Sequence, residues 1–325
     1  MRNLFQKVGK ALEFFRTLAF YSLMDCKDDN GSFKPRLLRL LKGNRKIVTF
    51  YSDCHNVVYA DILRHSRAMK EKCIVLGCND IRSLKNRYPK YVSSQNVWRH
   101  ADVFIYTPGI PARENIPTID EILTWLPENV QIIRVTNAAF RGYYPQHTAR
   151  PVFPYGRFVW GDKNLNRMLQ AGKTDETAVL AMERQDYFTS EQVLDNWNLS
   201  LKMLRLHERE CDIGVADYIE EHGRERILYW STTHPKNVVL LHACKKMFAR
   251  LGVIFDVKAP PEAFTDLRHH GEAVYPSTCF ALGIDAKQAE EQRIKPGKGA
   301  EVFTFGEYLR EYIRTGIDAF ARDLP

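Results

Sequence analysis

KIVTFYSDCHNVVYADILRHS, residues 46–66, is the stretch on which the fold turns. Residues 47–51 form a short apolar run with the composition of a buried strand. The run ends in Ser52, Asp53, Cys54 and His55, and apolar residues then return at helical spacing, with Val58, Ile62 and Leu63 on one face of a helix predicted over 57–69. A buried strand that runs straight into a helix is the opening of a βαβ unit.

Working outward, KCIVLG (72–77), HADVFIYTPG (100–109) and QIIRVTN (131–137) repeat the pattern of a short apolar run stopped by a polar or Gly/Pro segment. Strands separated by helix-compatible segments predict an α/β fold, with a mostly parallel sheet, flanking helices and an integrated helical portion. Periodicity fails over 138–160, AAFRGYYPQHTARPVFPYGRFVW, which reads as an ordered aromatic loop. Its Arg141, Arg150 and Arg157 are either available to anions or simply solvated. Helices resume over 164–172 and 189–223. The stretch 226–252 then reads as a strand, a polar turn and a helix closed by Gly252, with Pro235 suited to the first helical turn. A last amphipathic helix is expected within 301–324. Residues 1–30 read as an N-terminal amphipathic helix and linker, and residues 31–325 as a single α/β enzyme domain without internal repeats.

The net charge of +8 points to a phosphate-bearing partner, but the basic residues are interspersed with 39 acidic ones and form no block. No nucleic-acid partner is expected, because charge is its only support. Seven cysteines, odd in number and widely spread, fit a reducing cytoplasm better than a disulfide framework. Cys73 and Cys78 have no matching second pair, so no metal site is expected. The basic, aromatic first 25 residues leave open packing on the body of the fold or on a partner, or a place at the inner face of a membrane.

Two positions stand out for chemistry. Cys54 follows a buried strand and begins a helix, whose free amides and dipole can activate a thiol or bind an anion. Placed there, it is either a nucleophile or a core residue beside a Ser52 or Asp53 cap. His234 sits at a second strand-to-helix turn, where an imidazole can accept a proton from a hydroxyl or thiol, or can simply cap the helix. Sequence order does not show that the two meet. GCND (77–80) is similar to the Gly-x-Asn-Asp block of small serine esterases, in which Asn79 would stabilise an oxyanion; the same asparagine can equally be the cap of the following helix. HERE (207–210) offers Glu210 either as a partner that orients His234 or as part of a solvated face.

Together these segments resemble the WcbI-type capsular polysaccharide biosynthesis family over most of residues 46–252. The resemblance rests on Cys54 within the first turn, on Phe140, Gly142, Tyr143 and Pro145, on Arg209, Glu210, Asp212, Val215, Asp217 and Ile219, and on Thr232, His234 and Pro235. The chain departs from the family at the first turn, with Ser52, Asp53 and His55 where Gly, Asn and Gln are usual. The resemblance implies a coenzyme A-binding α/β enzyme that O-acetylates a sugar hydroxyl of a capsular or surface polysaccharide, with acetyl-coenzyme A as donor and a sugar or glycan as acceptor. Cys54, His234, Asn79 and Glu210 would then be the catalytic group. Ser52, His55, Arg141, Tyr143, Tyr144, Arg150, Arg157, Lys163 and Lys236 would contact the coenzyme. An acyl-ester hydrolase and a noncatalytic binding protein of polysaccharide assembly are the alternatives, a capsule-assembly partner stays open, and the oligomeric state is not read from the sequence.

Overall fold

A computed structural model describes residues 42–76, 98–111, 116–153, 158–173, 176–265, 267–292, 294–297 and 301–322. The N-terminal helix expected within residues 1–30, the block containing Asn79, and Arg157 lie outside the described residues. The chain divides into two compact units. The first draws on Met1–Thr136, Glu210–Ile213 and Ala243–Phe264, and the second on Asn137–Arg209, Gly214–His242 and Thr265–Pro325.

The first unit is built on a parallel sheet. Strand β1 (Lys46–Tyr51) is followed by helices α1 (His55–His65) and α2 (Arg67–Lys72), strands β2 (Cys73–Leu76) and β3 (Val103–Tyr106), helix α3 (Ile119–Trp125) and strand β4 (Gln131–Arg134). The order is β2-β1-β3-β4, every pairing is parallel, and β1 runs from Lys46↔Cys73 on one side to Tyr51↔Tyr106 on the other. Residues 47–51 are all buried, as expected of a central strand covered on both faces. One face packs Tyr51, Trp98, Phe104, Ile116 and Ile122 together. At the β4 end, a parallel bridge joins Val135 to Ile213, and Asp212 takes the Arg134 guanidinium and backbone amide at 3.1 and 2.8 Å.

The helix predicted over 57–69 is two helices. Ser66 leaves helical geometry (φ −86°, ψ 128°), and its hydroxyl accepts the Met69 amide at 2.9 Å while donating to the Asp256 carboxylate. Asp256 also accepts the Ala68 amide at 3.0 Å, so two side chains cap the new helix where one continuous helix would have buried a serine.

In the second unit, the aromatic segment leads through β5 (His147–Thr148) to its antiparallel partner β6 (Gly161–Asp162). Then come α4 (Lys163–Gln170), α5 (Glu176–Met182), α6 (Ser190–Glu208), α7 (Ala216–His222) and the short pair β7 (Tyr229–Ser231) and β8 (His234–Pro235). Helix α8 (Asn237–Leu251) follows and contributes residues to both units; α9 (Pro276–Leu282), α10 (Lys287–Glu291) and α11 (Phe305–Arg322) complete the chain. Pro235 therefore lies in β8, paired with Tyr229, rather than in a first helical turn. Its missing amide costs nothing there, because the pair is continued by Lys236, whose amide donates to Leu228 at 2.8 Å.

The rings of the aromatic segment are core. Phe140, Tyr143, Trp197 and Tyr229 meet at centroid distances of 4.9–6.2 Å. Gly142 is required by this contact, since a Cβ there would stand 2.3 Å from the Phe140 ring and 2.9 Å from Trp197. Asp162 caps α4 through the Asn164 and Leu165 amides and accepts the Tyr275 hydroxyl at 2.7 Å.

Candidate functional site

The carboxyl ends of β1 and β3 are tied by two hydrogen bonds. The Thr107 amide donates to Tyr51 O at 3.1 Å, and the buried Ser52 and Thr107 hydroxyls share a bond of 2.8 Å. After β1 the sheet grows first toward β2 and later, on the other side, toward β3 and β4, so its direction of growth reverses between β1 and β3. In open parallel sheets such a reversal leaves a crevice at the carboxyl ends of the strands, where ligands bind. Cys54 stands on this edge. Its backbone is already helical (φ −55°, ψ −25°) and the thiol is half-buried. Two main-chain bonds and one side-chain bond hold the turn: Asn56 N to Asp53 O at 3.1 Å, Val57 N to Cys54 O at 3.3 Å, and the Asn56 side-chain amide to Ser52 O at 3.1 Å. The start of an eleven-residue helix favours negative charge on a group placed there.

The other described thiols differ in setting. Burial pushes the Cys244 thiol well up, raises that of Cys73, and lifts that of Cys279 to about 12, so these three stay protonated. Cys211, half-buried, belongs to the first unit with Cys54. Tyr59 is fully buried. Burial first, and then the neighbouring Cys244, Cys54 and Cys211, raise its phenol far above the ordinary range, keeping it neutral. His55 is buried and packs edge-on against Tyr59 at 6.4 Å. Asn56 Oδ1 and Tyr59 Oη are buried with no hydrogen-bond partner among the described residues, which leaves polar capacity just behind the Cys54 turn.

A second polar constellation lies in the second unit around the turn between β7 and β8. Ser231 pairs with His234, Thr232 O accepts the Phe140 amide at 2.8 Å, and Thr232 N donates to Glu272 Oε2 at 2.8 Å. The other Glu272 oxygen lies 2.6 Å from His147 Nδ1, and both side chains are buried. His234 is buried, and its ring stacks on His270 at 5.3 Å. Beside them Lys236 and Arg268 lie 4.6 and 5.2 Å from the centre of the Trp230 ring.

Among the residues singled out in the sequence, Ser52, Cys54 and His55 come together at the edge of the parallel sheet. Glu210 is exposed, follows α6 and belongs to the first unit, whereas the carboxylate bound at the His234 turn is Glu272. Tyr143 and Tyr144 are buried: Tyr143 donates to Gly223 O at 2.7 Å and Tyr144 to Tyr229 O at 3.1 Å, which makes them parts of the core with no surface to offer a ligand. Arg141, Arg150 and Lys163 are exposed, the last two flanking the β5–β6 pair, and Lys236 is half-buried against Trp230. Thr107, His147, His270 and Glu272 were not legible as site residues. Thr107 lay in view at the end of a predicted strand; the others carry no local pattern. Among the described residues no cluster of His, Cys, Asp or Glu is arranged to hold a metal ion, and no helix is long and apolar enough to cross a membrane.

A sequence-family model described as "Polysaccharide biosynthesis enzyme WcbI" matches residues 81–255. Among curated proteins, none matches the chain. A similar solved structure is that of WcbI, described as a novel polysaccharide biosynthesis enzyme in its native form without a disulfide between coenzyme A and one of its cysteines. It superposes with a TM-score of 0.64 at 15% identity, over 84% of this chain and 90% of that one. At that identity the likeness is one of fold.

Proposed function

Because the chain belongs to the WcbI family of polysaccharide-biosynthesis proteins, we propose that it is a coenzyme A-dependent O-acetyltransferase acting on a sugar hydroxyl of a capsular or surface polysaccharide. The observation that carries this reading is the half-buried Cys54 thiol at the switch point of the parallel sheet and the start of α1. Coenzyme A in the description of the similar structure supports the same donor. The reading places the enzyme in the cytoplasm, where acetyl-coenzyme A is made, with a sugar or growing glycan as acceptor.

Two routes use the residues at hand. In the covalent route the Cys54 thiolate attacks the thioester carbonyl, the bond to the coenzyme sulfur breaks, and coenzyme A leaves. The acceptor hydroxyl then takes the acetyl group from Cys54, losing its proton to a base and restoring the thiolate. In the direct route Cys54 only shapes the thioester pocket, and His234 takes the proton of the hydroxyl as it attacks the donor. In both, the positive end of the α1 dipole favours the charge that develops on the carbonyl oxygen.

The test is isothermal titration of the full chain with coenzyme A and with acetyl-coenzyme A, followed by turnover of Cys54→Ala. Saturable binding at one site per chain is expected. An alanine variant that still binds but loses about a thousandfold in turnover assigns the covalent route, and a loss of less than about tenfold assigns the direct one. Folded protein that binds neither ligand overturns the proposal, and brisk hydrolysis of simple esters without coenzyme A would replace it with an esterase.

A further inference from the structure

We propose that Glu272 is the positioning residue for His234 in the transfer reaction, a role that rests on the acetyltransferase reading above. The turn that presents His234 spans only Thr232 and Thr233 between the paired Ser231 and His234. Its amide at Thr232 is held by Glu272 Oε2 at 2.8 Å, and in return the Glu272 amide donates to Trp230 O at 2.7 Å. One residue thus grips β7 with its main chain and the turn with its side chain. The same segment supplies His270, two residues earlier, whose ring stacks on His234. Glu272 fixes both the backbone from which the imidazole projects and the neighbour that limits its rotation.

The gripping segment is itself anchored. Gly271 N donates to Lys295 O at 2.8 Å, Gln146 Nε2 to Ala273 O at 2.6 Å, and Gln292 Nε2 to Glu272 O at 3.4 Å. The remaining carboxylate oxygen meets His147 Nδ1 at 2.6 Å, which fixes the carboxylate plane from the far side. A buried carboxylate with both oxygens committed to defined partners holds its geometry more tightly than a solvated one. Glu272 does not touch the reacting atoms in this scheme; it acts through His234.

The experiment compares three substitutions in the full chain by acetyl transfer kinetics. Glu272→Gln keeps an oxygen for the Thr232 amide, Glu272→Met keeps the length without an acceptor, and Glu272→Asp keeps the charge but withdraws it. We expect the glutamine variant to stay within about fivefold of wild-type kcat, and the methionine variant to lose about a hundredfold with its KM for acetyl-coenzyme A within about twofold. The aspartate variant should lose about tenfold in kcat, and it decides the matter if the methionine variant does not fold. Equal losses in the glutamine and methionine variants, or wild-type kcat in the methionine or aspartate variant, would overturn the role. If the wild-type protein shows no acetyl-coenzyme A-dependent turnover, the functional reading fails on its own. The positioning is then read from the His234 ring resonances in protein labelled at histidine. They should move in the aspartate or methionine variant and hold in the glutamine variant, and signals unchanged in all three would sink it.

Discussion

The chain builds a polar turn at the end of a strand twice, once at Ser52–His55 and once at Thr232–His234, and holds the two by different means. At the first, the parallel sheet does the holding. Neighbouring strands bring Tyr51 and Thr107 together, and main-chain bonds carry Asp53 and Cys54 into α1. At the second, the local strands are only three and two residues long, and a carboxylate from residue 272 supplies the rigidity that the pair lacks. A turn held by a ladder of backbone bonds should tolerate the loss of one side chain, whereas a turn held by one buried carboxylate should not.

Stability measurements can break that comparison. Glu272→Leu strands the Thr232 amide and removes the partner of His147, so it should destabilise the second unit by about 3–5 kcal/mol in urea unfolding. Asp162 supplies the next largest effect. Burial, offset in part by the Tyr275 hydroxyl and the Leu165 and Asn164 amides, lifts its carboxyl to about 6. Between pH 4 and 6 the folded chain therefore binds the proton that the unfolded chain has released, and stability falls as pH rises through that window by about 3 kcal/mol. Asp162→Asn should flatten the slope, read from midpoints of urea unfolding collected at each pH. In the first unit Asp212 behaves oppositely. Burial works against its ionisation, but the Arg134 guanidinium and amide hold its carboxyl below the usual range. The stability it lends is complete above about pH 4 and is lost only as pH falls through that lowered value, so mild acid should leave the Arg134–Asp212 contact intact.

The smallest effect belongs to the backbone-held turn. Thr107→Val removes the hydroxyl that meets Ser52 and should cost only about 1–2 kcal/mol, leaving coenzyme A affinity within about threefold on titration. A loss as large as that for Glu272→Leu would mean that the first turn also depends on its side chains, and the contrast between the two would fall.

What the sequence disclosed follows the same division. Residues 47–51 and 103–106 announce themselves as strands because sheet burial imposes a continuous apolar run, whereas 131–134 buries only Ile133 and shows itself by two isoleucines before a turn; Cys54 is visible because it follows the first of these runs. The break at Ser66 is less visible, since its cap depends on Asp256, 190 residues away. Glu272 reaches Thr232 across 40 residues and His147 across 125, distances at which a lone glutamate in an aperiodic segment carries no signal. Glu210 drew attention instead because it stands in a charged run. Tyr143 and Tyr144 looked like ring surfaces for a ligand; which way a ring faces depends on Trp197 and Tyr229, which the local sequence does not contain.

Gly142 adds a last consequence. The Phe-x-Gly-Tyr segment by which the chain resembles its family exists because a side chain at 142 would strike Phe140 and Trp197. Its role is masonry, since Phe140 carries the Thr232 carbonyl on its amide and so underpins the turn from beneath. A search keyed to that segment will gather proteins sharing this architecture whatever reaction each has come to perform, and their catalytic differences must be sought elsewhere, at the sheet edge of the first unit and in the side chains of the histidine turn of the second.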